Sequence, residues 1–329
     1  MKSTRLNRLS FVLIALALMF AVRSTMAGGS DTFRPSEINV QLADGVTIAT
    51  INARYGTSVL EQIAGTSIYR LQLPSGTDVL TTKAQMGLDP ALVFAEPNYN
   101  YQAPEVRQSS HAFVDQSSHA FVDGQAPGNF FGQASLTRLH LAEAQTYTRG
   151  WGVRVAVVDT GLDLNHPLFA GRLAYPFYDF VDNDGTPNDE LDGVATGHGT
   201  FVAGLIAITA PQAGIMPIRA FSNDGLGTSF NIAKAIRFAT DSGVQIINMS
   251  FGLLSQEYLI RNAIDYAAQN NVVLVAAAGN DNDSKIHFPA LRSTVIAVTS
   301  TDDTDHKAPF ANFASAVNVS APGVGLYSA

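Results

Sequence analysis

From residue 153 onward, short and nearly continuous apolar runs alternate with segments of helical spacing. The runs fall at 153–158, 216–221, 244–248, 272–278 and 295–298, and helical segments begin near residues 198, 229 and 256. A strand that is apolar on successive residues has both faces covered, and helices between such strands imply parallel crossovers. The pattern predicts an α/β domain: a doubly wound, mostly parallel sheet with helices on both faces. Sites in such sheets form beyond the carboxyl ends of the strands. Polar residues that end strands are therefore the first candidates for function.

Asp159 is the first polar residue after Val155-Ala156-Val157-Val158. His198 lies in Thr196-Gly197-His198-Gly199-Thr200, at the mouth of a helix, between glycines that permit close approach of backbone or substrate. A carboxylate can orient an imidazole through one ring nitrogen and leave the other to accept a proton. Asn280 follows Ala277-Ala278-Gly279 at the end of another run, where a side-chain amide can donate to a developing oxyanion. Ser250, Phe251 and Gly252 follow a further run and offer an extended edge to a peptide backbone. Each also has a plain structural reading: a turn carboxylate, a buried or helix-capping histidine, a turn asparagine, an ordinary strand end. No glycine-rich dinucleotide fingerprint follows the first run. His166, before Pro167, reads as a turn residue, and His140, His287 and His306 have no acidic partner at suggestive spacing.

Asp159-Thr160-Gly161, His198-Gly199-Thr200 and Ala278-Gly279-Asn280, in this order, resemble the subtilisin family of serine peptidases over residues 136–329. The resemblance implies that Asp159 orients His198, that His198 serves as general base and then general acid, and that Asn280 donates to the oxyanion. It implies that Ser250, Phe251 and Gly252 lie along the substrate backbone. The family's nucleophile sits in a Gly-Thr-Ser-Met-Ala motif opening a buried helix, and that motif is not among the 329 residues. Gly227-Thr228-Ser229 is superficially similar, but Phe230 and Asn231 follow, and Ser229 stands where a helix cap is expected. Ser320 and Ser328 have no helix to carry them. The expectation is a chain cut short of its serine, inactive as given, with apolar surface uncovered near the centre of the domain.

Residues 36–103 read as strand, helix, strand, strand, helix, strand, a split βαβ or ferredoxin-like α+β unit. The strands fall at 37–42, 58–63, 68–73 and 92–95, the last ended by Pro97, and the helices at 46–55 and 77–88. No residue here has catalytic spacing. The unit resembles the family's inhibitor-like propeptide, which implies a folding template that inhibits intramolecularly until it is cleaved. Residues 104–128 form a linker in which QSSHAFVD occurs twice in succession, at 108–115 and 116–123. His111 and His119 within it are conceivable metal ligands, but exposed loops readily accept such duplications. The resemblance implies that residues 133–329 are a subtilisin-like peptidase domain, incomplete at its C-terminus and opening with a helix over 136–147.

Composition narrows the setting. Lys2, Arg5 and Arg8, the apolar run 11–22 and Thr25-Met26-Ala27 make residues 1–27 a secretory signal pattern, too short to span a bilayer comfortably. The chain is expected to be secreted, extracellular or periplasmic, with no stable membrane span. Its formal charge of −8, without a basic cluster, argues against nucleic acid, and zero cysteines exclude disulfides and thiolate metal sites. No cofactor is required for the chemistry. A structural calcium is conceivable on the acidic stretch with Asp179, Asp182, Asn183, Asp184, Asp189, Glu190 and Asp192, which reads equally as a solvated loop. The expected partners are a protein or peptide substrate and the chain's own propeptide. The alternatives are a degenerate peptidase that binds peptides or a partner protease without cutting, and an inhibitor acting through residues 36–103.

Overall fold

The computed structural model describes residues 32–103, 119–120, 130–190 and 193–329. The signal pattern, the first copy of the linker repeat and Asp192 lie outside these residues. Among the described residues, no helix is long and apolar enough to cross a membrane.

The N-terminal unit runs β1 (Phe33–Leu42), α1 (Ile48–Tyr55), β2 (Ser58–Gln62), β3 (Ile68–Gln72), α2 (Val79–Met86) and β4 (Leu92–Gln102). Local signals set the helix ends. Thr47 accepts the Thr50 N–H at the start of α1, and Gly56 ends it in the left-handed region at φ 66°. Asp78 caps α2 by accepting the Thr81 N–H at 2.7 Å. β1 lies between β3 and β4, antiparallel to both. Ile38, Val40 and Leu42 alternate along its inner face and join Ile51, Leu71, Val79 and Met86 in a separate small core.

β4 does not end at Pro97. Pro97 pairs with Ile38 where the β1–β4 register shifts, so its missing N–H falls at an irregularity that tolerates it. Beyond it the strand finds a different partner. Asn100, Tyr101 and Gln102 pair antiparallel with Thr228, Gly227 and Leu226 of the C-terminal domain.

The C-terminal domain continues with β5 (His119–Ala120), α3 (Ala134–Arg138), α4 (Leu141–Tyr147), β6 (Arg154–Asp159), β7 (Tyr178–Asp179), α5 (His198–Thr209), β8 (Gly214–Arg219), β9 (Leu226–Thr228), α6 (Ser229–Asp241), β10 (Ile246–Met249), α7 (Tyr258–Gln269), β11 (Val273–Ala277), β12 (Val295–Thr301), β13 (Val319–Pro322) and β14 (Tyr327–Ser328). The helix expected over 136–147 is two, because His140 between them takes φ 49°. Seven strands form one parallel sheet in the order β13-β12-β11-β10-β6-β8-β7. Both faces of β6 are buried. Ala156 and Val158 join the core with α6 and α7, whereas Val157 joins Ala203 and Ala207 of α5 on the opposite face. This is the doubly wound α/β architecture, with β6 near the middle of the sheet.

The N-terminal unit seats on the helix starts of this domain. Asn98 Oδ1 accepts the Phe230 N–H at 3.2 Å, and the Glu96 carboxylate accepts the Tyr258 and Leu259 N–H groups at 2.8 and 3.2 Å. One strand thus satisfies otherwise unpaired donors at the N-termini of both α6 and α7. Burial pushes the Glu96 carboxyl above its ordinary value, and its two backbone donors oppose that rise.

Candidate active site

β6 delivers Asp159 to the carboxyl edge of the sheet, and α5 begins at His198. His198 Nδ1 lies 2.5 Å from Asp159 Oδ1, and the two side chains are 2% and 3% exposed. The Thr160 N–H donates to the same oxygen at 2.7 Å. An ionised carboxylate only accepts, so Nδ1 carries the ring proton and Nε2 is the ring's acceptor. The pair expected from the sequence is assembled.

The flanking glycines serve the backbone. Gly197, at the N-cap of α5, takes φ 80°. A Cβ at Gly199 would stand 2.0 Å from the Gly161 carbonyl oxygen, so the turn after Asp159 and the start of α5 touch through bare Cα atoms. Sequence reasoning left open whether these glycines admit substrate; they admit the Asp159 turn.

A third residue, which the sequence reading did not single out, braces this contact. Asp189 is buried, and its Oδ2 accepts from the Thr200 hydroxyl at 2.7 Å and N–H at 3.1 Å. Its Oδ1 accepts from the Gly197 N–H and the Thr160 hydroxyl, both at 3.2 Å. Burial raises the Asp189 carboxyl pKa, and the two Thr200 bonds work against the rise. The only sequence signal was its place in an acidic stretch, which does not distinguish it from its neighbours.

Asn280 and Ser250 line one cavity with His198, a space of 540 Å³ walled mainly by apolar residues such as Phe201, Leu205, Ile206 and Val275. The three residues 250–252 divide their tasks. Ser250 borders the cavity and its hydroxyl meets the Asn248 amide at 2.9 Å. Phe251 is buried and meets Tyr101 of β4 edge-on, with ring centroids 6.0 Å apart. Gly252 packs against His287. The edge that pairs with β4 is β9, which the sequence reading missed. A strand of three residues is too short for periodicity to reveal.

Ser229 and Ser328 are engaged elsewhere, and Ser320 lies in β13, paired with Thr299 of β12. Thr228, not Ser229, caps α6 by accepting the Asn231 N–H at 3.3 Å. Ser229 is buried, and its hydroxyl bonds Asn98 Oδ1 and receives the Asn39 amide and the Tyr99 N–H. The Ser328 hydroxyl donates to the Phe201 carbonyl at 2.5 Å.

The acidic stretch surrounds a buried cation. Arg219 reaches Asp179 at 2.8 Å, Asp182 at 2.5 Å and Glu190 at 2.8 Å. Burial works against its charge, but the Asp179 bond and the other carboxylates outweigh that, and its pKa is raised. The stretch fits calcium by donor type, being all oxygen. It does not fit by arrangement: among the described residues no group of three or more His, Cys, Asp or Glu stands ready to hold a metal ion. His287, for which the sequence suggested no acidic partner, has one. Its Nε2 lies 2.5 Å from Asp281 Oδ2, brought there because the intervening loop folds back on itself.

Comparison with known proteins bears on the family and the fold. The subtilase family model matches residues 150–329, and the fervidolysin N-terminal prodomain model matches residues 21–98. Thermitase of Thermoactinomyces vulgaris is 38% identical over 201 residues, 58% of this chain and 70% of thermitase. The thermophilic serine proteinase of Bacillus sp. (strain AK1) is 32% identical over 320 residues, 89% of this chain and 74% of that protein. The crystal structure of fervidolysin from Fervidobacterium pennivorans, a keratinolytic enzyme related to subtilisin, superposes with a TM-score of 0.69 at 24% identity. That match covers 88% of this chain and 47% of fervidolysin, and it bears on the fold alone. With a family model over more than half its length and an Asp–His pair at the carboxyl edge of the family's sheet, the chain belongs to the subtilase family of serine peptidases and carries an N-terminal prodomain.

Proposed function

We propose that the chain is the precursor of a secreted serine endopeptidase, supplying the base, its orienting carboxylate and the oxyanion donor. The observation that carries this is the buried 2.5 Å contact between Asp159 and His198 beside a cavity that Asn280 also lines. In the proposed reaction a serine hydroxyl attacks the scissile carbonyl carbon and its proton passes to His198 Nε2. The imidazolium so formed stays hydrogen-bonded to Asp159 through Nδ1. The carbonyl oxygen becomes an oxyanion, and the Asn280 amide donates to it; one such donor contributes about 3–4 kcal/mol in this family. His198 then returns the proton to the leaving amine as the C–N bond breaks, leaving an acyl-enzyme for water to hydrolyse. The Gly-Thr-Ser-Met-Ala motif in which the family carries its nucleophile does not occur in these 329 residues. Pairing of Asn100, Tyr101 and Gln102 with β9 supports a prodomain that lies in the substrate groove and inhibits until cleaved.

The 329 residues alone are expected to resist a fluorophosphonate probe. A gene product that continues into a Gly-Thr-Ser segment is expected to be labelled at that serine and to lose labelling in His198→Ala. Labelling of the 329-residue chain, or a continued product that cleaves no peptide, would sink this reading. For the acidic stretch we propose service to Arg219 and not to calcium, since Asp179, Asp182 and Glu190 all engage that guanidinium; a calcium titration is expected to leave the melting temperature unmoved.

A further inference from the structure

The caps that seat the prodomain on the peptidase domain are made to backbone. Asn98 and Glu96 accept N–H groups at the starts of α6 and α7, donors that any helix start offers. Such contacts hold a prodomain in place but do not distinguish one peptidase from another. In the second turn of α6 a side chain meets a side chain. Lys234 Nζ is ion-paired with the Glu61 carboxylate of β2, and the two side chains are only 16% and 28% exposed.

This pair is one link in a closed path over the prodomain sheet. Glu61 Oε2 also accepts from Arg70 of β3 at 3.0 Å, Arg70 reaches Glu37 of β1 at 3.5 Å, and Glu37 accepts the Asn98 amide of β4 at 2.6 Å. Asn98 returns to α6 at the Phe230 N–H. The path leaves the helix at Lys234, crosses the strands in their order in the sheet, β2-β3-β1-β4, and comes back one turn earlier on the same helix face. Buried Phe230 lies inside it, with the Arg70 guanidinium 5.3 Å from its ring centroid. The Lys234 ammonium stands 4.9 Å from the Phe180 ring centroid, which holds it over the junction. The prodomain brings two carboxylates and one guanidinium to this path, and Lys234 of the peptidase domain cancels the surplus negative charge.

We propose that Lys234 is the residue by which this peptidase domain recognises its own prodomain, and that its pair with Glu61 is an electrostatic latch setting how long the cleaved prodomain stays bound. The partner this surface fits is a β-sheet that carries a carboxylate over the second turn of α6 as well as a cap at its start. This rests on the reading of residues 36–103 as an inhibitory prodomain and adds what selects it. Largely withdrawn from water, the pair is screened less than a surface ion pair. A docked prodomain without the carboxylate would cover the ammonium and leave it unpaired, which penalises the wrong partner more than the pair rewards the right one.

The test uses the product of the complete gene, cleaved between prodomain and peptidase domain, and follows prodomain release by gel filtration alongside cleavage of a fluorogenic peptide. Lys234→Met and Glu61→Gln are each expected to speed release by about 10-fold or more, with the double variant no faster than the quicker single one. Should Lys234→Met fail to fold, Lys234→Gln takes its place, and Lys234→Arg is expected to keep the prodomain bound because the charge remains. Wild-type release is expected to quicken at about 1 M salt, where the Debye length falls to about 3 Å, and release from Lys234→Met to respond less. A merely structural role for Glu61, as the neighbour of Arg70, would instead make the two single effects add. Additive effects, or release that neither salt nor the Lys234 variants change, overturn the latch and leave the peptidase reading intact. Full peptide cleavage while the prodomain still co-elutes overturns the inhibitory reading, and the latch's part in activation falls with it.

Discussion

Asp159→Asn is expected to lower kcat by about 10⁴-fold in the serine-bearing enzyme, with a small change in KM. That magnitude is the one known for serine peptidases of this type and is carried over to this chain. The local reason is visible in the site. Asp159 Oδ1 receives both the Thr160 N–H and the His198 ring nitrogen, and the pair is almost wholly out of water. In such a place a negative charge 2.5 Å from the ring is weakly screened, so the imidazolium formed in the transition state depends on it. Asparagine nearly matches the carboxylate in shape and removes that charge. It also ceases to dictate which ring nitrogen carries the proton, because an amide can donate as well as accept. The effect belongs to the transition state and not to substrate binding, so it appears in kcat. A loss below about 10²-fold, measured by single-turnover kinetics on protein of unchanged melting temperature, would show that Asp159 is not the orienting group.

The sheet and its two strand-end residues were legible because their signals are local. Apolar runs marked the buried parallel strands, and a strand's first polar residue marked its carboxyl end, which located Asp159 and Asn280. His198 stood out through its glycines and its helix. The features that escaped depend on contacts distant in the chain. Asp189 is indistinguishable from its acidic neighbours until Gly197 and Thr200 come to meet it. His287 acquires Asp281 only when residues 281–287 loop back onto Ala278. β4 outlasts Pro97 because a partner waits far along the chain, where Gln102 and Tyr101 meet Leu226 and Gly227. Ser229 looked like a cap and is instead locked under the prodomain through Asn39 and Asn98, a junction that only the docked structure contains.

Arg219→Ala is expected to destabilise the domain by about 3 kcal/mol, and far more than loss of either exposed partner. The three carboxylates around the guanidinium are not equivalent. Asp179 is 1% exposed, whereas Asp182 and Glu190 are 54% and 46% exposed. Removing Arg219 leaves Asp179 buried without its cation, the situation that costs about 3–5 kcal/mol. The low end applies because Asp179 Oδ1 keeps the Val181 and Asp182 N–H groups at 2.7 and 3.0 Å. Asp182→Ala or Glu190→Ala strands no charge in the interior and is expected to cost at most about 1 kcal/mol. The double variant Arg219→Met with Asp179→Leu is expected to be more stable than Arg219→Met alone, since the orphan charge goes with its partner. Denaturant midpoints at constant m-value read all four comparisons. The consequence reaches Asp159 and His198 through the backbone. Arg219 is paired with Asp159 in the β6–β8 ladder, and its carbonyl receives the Phe180 N–H. Losing its side-chain anchors loosens the 179–190 segment, at whose far end Asp189 holds the turn before His198. The Arg219 variants should therefore show lower kcat before they show global unfolding, and an Arg219→Ala protein with wild-type kcat at 25 °C would separate the ion cluster from the site.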